Sequence, residues 1–95
     1  MLSIKEIKNT THKIAPNYPI KRVLLFGSYA LGNANELSDV DLLVEFFENP
    51  ISLFELAGFN EELREALKVS VDTVKLPLKK SSLINIDKVV SLYEQ

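Results

Sequence analysis

Apolar and polar residues switch between two periods along this chain, and each switch marks a change of element. From Ile4 the spacing is helical: Ile4, Ile7 and Ile14 recur on one face behind a Ser3–Glu6 capping box, until Pro16 and Pro19 end the run. Lys21-Arg22 then lead into Val23-Leu24-Leu25-Phe26, an unbroken apolar run that predicts a buried first strand. Gly27 to Gly32 reads as a short helical turn, and Asn33 to Ser38 as a polar one. From about Asp39 to Phe47 the period is two. Val40, Leu42, Val44 and Phe46 make one continuous apolar face, and Asp39, Asp41, Leu43 and Glu45 share the other. Asn49-Pro50 breaks this second strand. A further capping box, Ser52 to Glu55, opens a helix reaching about Lys68, with an apolar stripe at Leu53, Leu56, Leu63 and Leu67. Its solvated side carries Glu61, Glu62, Arg64 and Glu65, and Gly58 interrupts it at a cost of about 1 kcal/mol relative to Ala. Val69 to Leu76 forms the third strand, closed by Pro77. Beyond the polar Lys79–Ser82 stretch, Ile86, Val89, Val90 and Tyr93 stand at i, i+3, i+4 and i+7, which predicts a closing helix.

The predicted order is therefore α-β-α-β-α-β-α, an α/β arrangement. Ninety-five residues fit one domain, residues 1–95, without room for a second core. A composition 46% hydrophobic and 25% charged is that of an ordinary globular protein. The net charge of −2, with no run of Lys or Arg longer than two, argues against stable nucleic-acid binding. The lack of cysteine removes disulfides, thiolate metal sites and cysteine nucleophiles together. No stretch approaches the ~20 apolar residues of a membrane span and no signal-peptide pattern opens the chain, so no membrane association and a cytoplasmic location are expected. So small a domain leaves some apolar residues uncovered, and the Leu53–Leu67 helix and the closing segment are the expected contact surfaces.

The chemistry concentrates between Phe26 and Val44. Asp39 and Asp41, at i and i+2 on a strand, point the same way with Cα atoms roughly 6.5–7 Å apart. Carboxylates at that separation can share divalent cations about 3.5–4 Å apart. Gly27 lets backbone approach a ligand closely, and Gly27-Ser28 offers amide and hydroxyl donors to a phosphate. Alone, an Asp-x-Asp pair is most often a solvated strand face, and a Gly-Ser turn is most often empty. At this spacing the two together point to nucleotidyl transfer. Asp72 places a single charge within an apolar strand; a buried charge needs a partner, so a metal or the Asp39/Asp41 pair is expected beside it. Glu45 lies about 13 Å beyond Asp41, too far to join them. His12 reads as a solvated helical residue, and Ser28 has no neighbour in sequence to activate it as a nucleophile. Tyr29 fits either a nucleotide contact or core packing.

Gly27-Ser28, ten intervening residues, then Asp39-Val40-Asp41-Leu42 resemble the signature of the DNA polymerase beta-type nucleotidyltransferase superfamily. The small size resembles its minimal branch, the MNT proteins, among them MntA-type antitoxins paired with HEPN-domain toxins. The resemblance spans nearly the whole chain. It implies a nucleotidyltransferase fold with a three-stranded mixed sheet, strand two central and helices packed on it, bringing Asp72 beside Asp41. It further implies that Asp39, Asp41 and Asp72 are catalytic and hold two Mg²⁺ ions, and that Gly27 and Ser28 bind nucleotide. ATP or another nucleoside triphosphate would be the donor of AMP, and the acceptor would be a hydroxyl, foremost a tyrosine of a HEPN-type toxin. This chain departs from the pattern at Leu31, where many MNT relatives carry an Arg that grips the triphosphate. It also lacks the domain with which larger relatives bind their acceptor, so recognition is expected from a partner or a homo-oligomer. Two alternatives stand beside the enzyme: a non-catalytic antitoxin that masks its partner sterically, and, more weakly, transfer to a small aminoglycoside-like acceptor.

Overall fold

The computed structural model describes residues 1–47, 53–76 and 88–95. Helix α1 (Ile4–Ile14) starts where the Ser3 Oγ accepts a hydrogen bond from the Glu6 amide at 3.1 Å, and it tightens into a 3-10 turn at Ala15–Asn17 around Pro16. Strand β1 (Ile20–Phe26), the one-and-a-half-turn α2 (Gly27–Leu31), β2 (Val40–Phe46), α3 (Leu53–Leu67), β3 (Val71–Lys75) and β4 (Val90–Glu94) follow. The strands form one mixed sheet in the order β3-β2-β1-β4, with β1 antiparallel to β2 and β4, and β2 parallel to β3. One face of this sheet is the core: Val40, Leu42 and Val44 of β2 and Val23 and Leu25 of β1 pack with Ile7 of α1 and Phe59, Leu63 and Leu67 of α3. Burying both long helices on that face leaves the aspartate side of β2 turned the other way.

The closing segment departs from expectation. Val90–Glu94 is a strand, so among the described residues the sheet has four strands rather than three, and this segment is not the predicted closing helix. The helical spacing of Val89, Val90 and Tyr93 arises instead from an irregular strand. Its register shifts between Val23 and Leu24 of β1, and at such a bulge two successive residues, Leu92 and Tyr93, are both buried. The segment covers the free edge of β1, whose outward backbone groups would otherwise lack partners. Tyr93 also meets the His12 ring edge-on, with centroids 5.4 Å apart. Ile86, Asn49-Pro50, Ser52 and the Lys79–Ser82 stretch lie outside the described residues.

The α3 stripe also shifts. Leu53 is exposed, while Phe59, absent from the predicted stripe, is fully buried beside Leu63 and Leu67. Gly58 acquires a reason. A Cβ there would meet the Tyr18 hydroxyl at 3.2 Å, so the glycine leaves room for the Tyr18 ring to lie across the helix. Tyr18 packs edge-on against Phe59 with centroids 5.6 Å apart, and its hydroxyl donates to the Glu62 carboxylate. That hydrogen bond, with some burial and the Glu62 charge, pushes the phenol up to about 12. We expect Tyr18→Phe to lower stability by about 0.5–1 kcal/mol in urea unfolding at pH 7. A raised acid pKa favours the protonated folded state. The Tyr18 contribution is therefore complete below the ordinary value of 10.0 and fades as pH rises through about 12, where the variant should converge on the parent.

Candidate active site

The site is assembled at the end of β1 and the starts of β2 and β3. Phe26, the last residue of β1, pairs with Asp41 of β2, which sets the chain reversal at Gly27 against the second aspartate. Gly27 has φ +74°, and a Cβ there would collide with Oδ2 of Asp41 and stand 3.1 Å from its carboxyl carbon. Only glycine allows both the left-handed backbone and the carboxylate resting on it. Ser28 follows, half-buried, in the first turn of α2, which closes on Gly32.

Asp39 is exposed immediately ahead of β2, and Asp41 is half-buried within it. The Val40 amide donates to the Ser70 carbonyl at 2.9 Å, zipping the start of β2 to the approach to β3. The parallel register then sets Asp41 directly beside Asp72, on strands about 4.8 Å apart. Asp72 is exposed on this edge strand, not buried as its apolar neighbours suggested; an edge leaves one side of the strand open to water. Its companion is nevertheless the aspartate pair. Burial, then the Asp72 charge, then the Asp39 charge push the Asp41 carboxyl above its usual value. Asp41 thus feels both of the other acids, in a patch that backbone pairing holds in place. Among the described residues no three such groups already stand close enough to form a finished metal cage. Their chemistry still suits a hard divalent cation, since an all-oxygen carboxylate set is what Mg²⁺ takes, and a cation would relieve the repulsion borne by Asp41.

One supporting residue escaped the sequence reading. Asn60, on α3, donates its side-chain amide to the Val71 carbonyl at 2.7 Å and to the Thr73 hydroxyl at 3.2 Å. These are the two neighbours of Asp72, so a helix side chain straps the edge strand on either side of the third carboxylate. The available signal was a polar amide inside a helix, where such residues need a partner. We expect Asn60→Ala to cost about 1–2 kcal/mol by leaving a partly buried carbonyl unpaired. Amide exchange should quicken in Val71–Lys75 before it does in β2.

Other residues fall away from the site. Tyr29 is buried in the core rather than placed for a nucleotide, and Glu45 stands 3.1 Å from the Arg22 guanidinium further along the sheet. Leu31 is half-exposed at the end of α2 and supplies no cation there.

A Gly-Ser turn abuts an aspartate on the neighbouring strand, with a third aspartate beside it in parallel register, the arrangement the sequence led one to expect of a nucleotidyltransferase. The chain belongs to the nucleotidyltransferase domain family, whose sequence profile matches residues 4–92. It is 38% identical over 87 residues to the protein adenylyltransferase MntA of Thermococcus cleftensis, the match covering 87% of each chain. Among solved structures, a candidate minimal nucleotidyltransferase matches with a TM-score of 0.75 at 28% identity, over 94% of this chain and 95% of that one. The structure of a tri-AMPylated Shewanella oneidensis HEPN toxin in complex with an MNT antitoxin contains a chain alike in fold, with a TM-score of 0.71 at 22% identity, over 97% of this chain and 73% of that chain. The architecture is thus the minimal nucleotidyltransferase fold. Among the described residues no helix is long and apolar enough to cross a membrane.

Proposed function

We propose that this chain transfers AMP from ATP to a hydroxyl of a protein partner, a tyrosine of a HEPN-type toxin, and thereby silences it. The observation that carries the reading is the register that brings Asp72 beside Asp41 while Gly27 folds back against Asp41 from the other side. The similarity to a protein adenylyltransferase and the fold shared with a chain of a HEPN toxin–MNT antitoxin complex favour a protein acceptor.

In this reading Asp39, Asp41 and Asp72 would hold two Mg²⁺ ions, which supply neutralisation of triphosphate charge and make the acceptor hydroxyl more acidic. The Gly27 amide and the Ser28 hydroxyl hold the β- and γ-phosphates. The acceptor oxygen attacks the α-phosphorus, the bond from that phosphorus to the bridging oxygen breaks, and pyrophosphate leaves with the electron pair. Asp72 takes the hydroxyl proton, and its exposed place on the edge strand leaves it open to an incoming acceptor. The test uses ATP labelled at either end. Label at the α-position should remain on the partner and label at the γ-position should leave with pyrophosphate, whereas γ-label on the partner would mean phosphoryl transfer. Leu31, standing where an arginine would grip the triphosphate, favours one competing reading, steric masking of the partner without chemistry. In that case neither label is retained and the toxin is still neutralised.

A further inference from the structure

A cleft of about 340 Å³ opens between the start of α1 and the connection from α2 to β2. Met1, Leu2, Leu67 and Val69 give it apolar walls, while Glu6, Tyr29 and Glu36 supply its polar groups. No Lys or Arg lines it. Neither carboxylate has an ion-pair partner among the described residues, and the exposed amino end at Met1 pairs with neither. Glu36 and Val69 also line a neighbouring cleft, where the acidic character continues through Asp39 and Glu65. Lys68 alone opposes it there, since Arg64 is held by Glu61. We propose that the smaller cleft receives a lysine or arginine side chain of the protein partner, its alkyl stem against the apolar walls and its cationic end among Glu6, Glu36 and Tyr29. The inference rests on the reading above that a HEPN-type protein is the partner, and it holds whether that partner is labelled or only masked.

Tyr29 carries the argument beyond charge. Its side chain is buried, at 5% exposed, yet its hydroxyl has no hydrogen-bond partner among the described residues. Among those residues the one unpartnered side-chain nitrogen or oxygen sealed from solvent is Arg22 Nε. The Tyr29 oxygen therefore meets solvent, and it does so at the cleft that Tyr29 lines. A phenol oxygen accepts from a cation as a carboxylate does, and charge-assisted bonds of this kind are the strong ones. Long basic side chains bury their methylenes along apolar surface and keep the charged head in polar company. This lining offers both. An acidic occupant would set like charges together, and a wholly apolar one would cover the carboxylates and leave them unpaired. Tyr29 directly follows Ser28, and Glu36 stands three residues ahead of Asp39. Gly27, Ser28, Asp39, Asp41 and Asp72 nevertheless line no part of the cleft. A side chain seated there holds the partner beside the carboxylates without touching the reacting atoms.

The test is calorimetric titration of the HEPN-type partner with the native chain and three variants. Glu36→Gln and Tyr29→Phe should each raise Kd about threefold to tenfold, the Glu36 difference narrowing in about 0.5 M salt. Glu94→Gln removes the same charge on β4, outside the cleft, and should leave Kd unmoved. In AMP transfer both cleft variants should raise the KM for the partner and keep kcat and the KM for ATP. The Tyr29 hydroxyl makes no bond in the free chain, so the melting temperature of Tyr29→Phe should not fall. A fall would place the hydroxyl in a bond of the fold and overturn the inference. Equal weakening by Glu94→Gln would overturn it too, as general charge attraction. Agmatine is the free-amine probe. If it shifts the cleft resonances while neither cleft variant alters Kd, the cleft belongs to a small amine and the partner's side chain is ruled out. A partner that binds with Kd unmoved by either variant overturns this inference alone. No complex at all removes the reading of the partner and this inference with it.

Discussion

Asp41→Asn should abolish transfer, by a factor on the order of 10²–10³ or more, and yet stabilise the metal-free protein. Asp41 is the one carboxylate of the patch that is both partly withdrawn from water and flanked by two others, and its pKa is raised for those reasons. A raised carboxyl pKa means that the folded state prefers the proton. The favourable contribution is complete below the ordinary value of 3.8 and is lost as pH rises through the raised folded value, so at pH 7 the charged side chain opposes folding. Asparagine keeps the shape and removes the charge. Thermal unfolding in a chelator should therefore give the variant the higher melting temperature at pH 7, with the gap closing as pH falls below 3.8. Adding Mg²⁺ should raise the melting temperature of the native chain by linkage and leave the variant unmoved. A variant less stable than the parent in chelator at pH 7 would contradict the picture of a strained carboxylate awaiting a cation.

Gly27→Ala should damage fold and chemistry together, at a cost of about 2–3 kcal/mol from left-handed strain and overpacking combined. The added methyl would occupy the space taken by the Asp41 carboxylate, so that side chain must leave its position. Gly32 is the natural control. It has φ +81°, but a Cβ there meets nothing within 4 Å, so Gly32→Ala should show only the backbone penalty of about 1 kcal/mol and retain transfer. Chemical unfolding and transfer rates on the pair separate the two effects. Equal loss of activity at both positions would show that backbone flexibility, and not the contact with Asp41, is what the site requires.

The site was more legible than the frame around it. Alternation from Val40 to Phe46, broken only by the buried Leu43 on the aspartate face, marks which residues face the helices, because a strand allows only two directions. Gly27, Asp39 and Asp41 stand out together by their spacing, while the contact of Gly27 with Asp41 comes from the antiparallel pairing of Phe26 with Asp41. Asp72 was singled out for a partly mistaken reason. It was read as a buried charge needing a partner, but an edge strand exposes it, and the partnership with Asp41 comes from parallel register, which no local pattern encodes. The closing strand was misread because a bulged strand and a helix both place apolar residues at irregular intervals, and only pairing with β1 decides between them. Gly58 and Asn60 were opaque for the same reason. Each answers to something outside its own helix: Tyr18 in one case, and the backbone beside Asp72 in the other.

The most direct measurement is the intact mass of the HEPN-type partner after incubation with this chain, ATP and Mg²⁺. One or more increments of AMP should appear on the partner, mapping to tyrosine, with loss of toxicity, and neither change should occur with Asp41→Asn. A partner neutralised at unchanged mass, equally well by Asp41→Asn, would contradict the transfer reading.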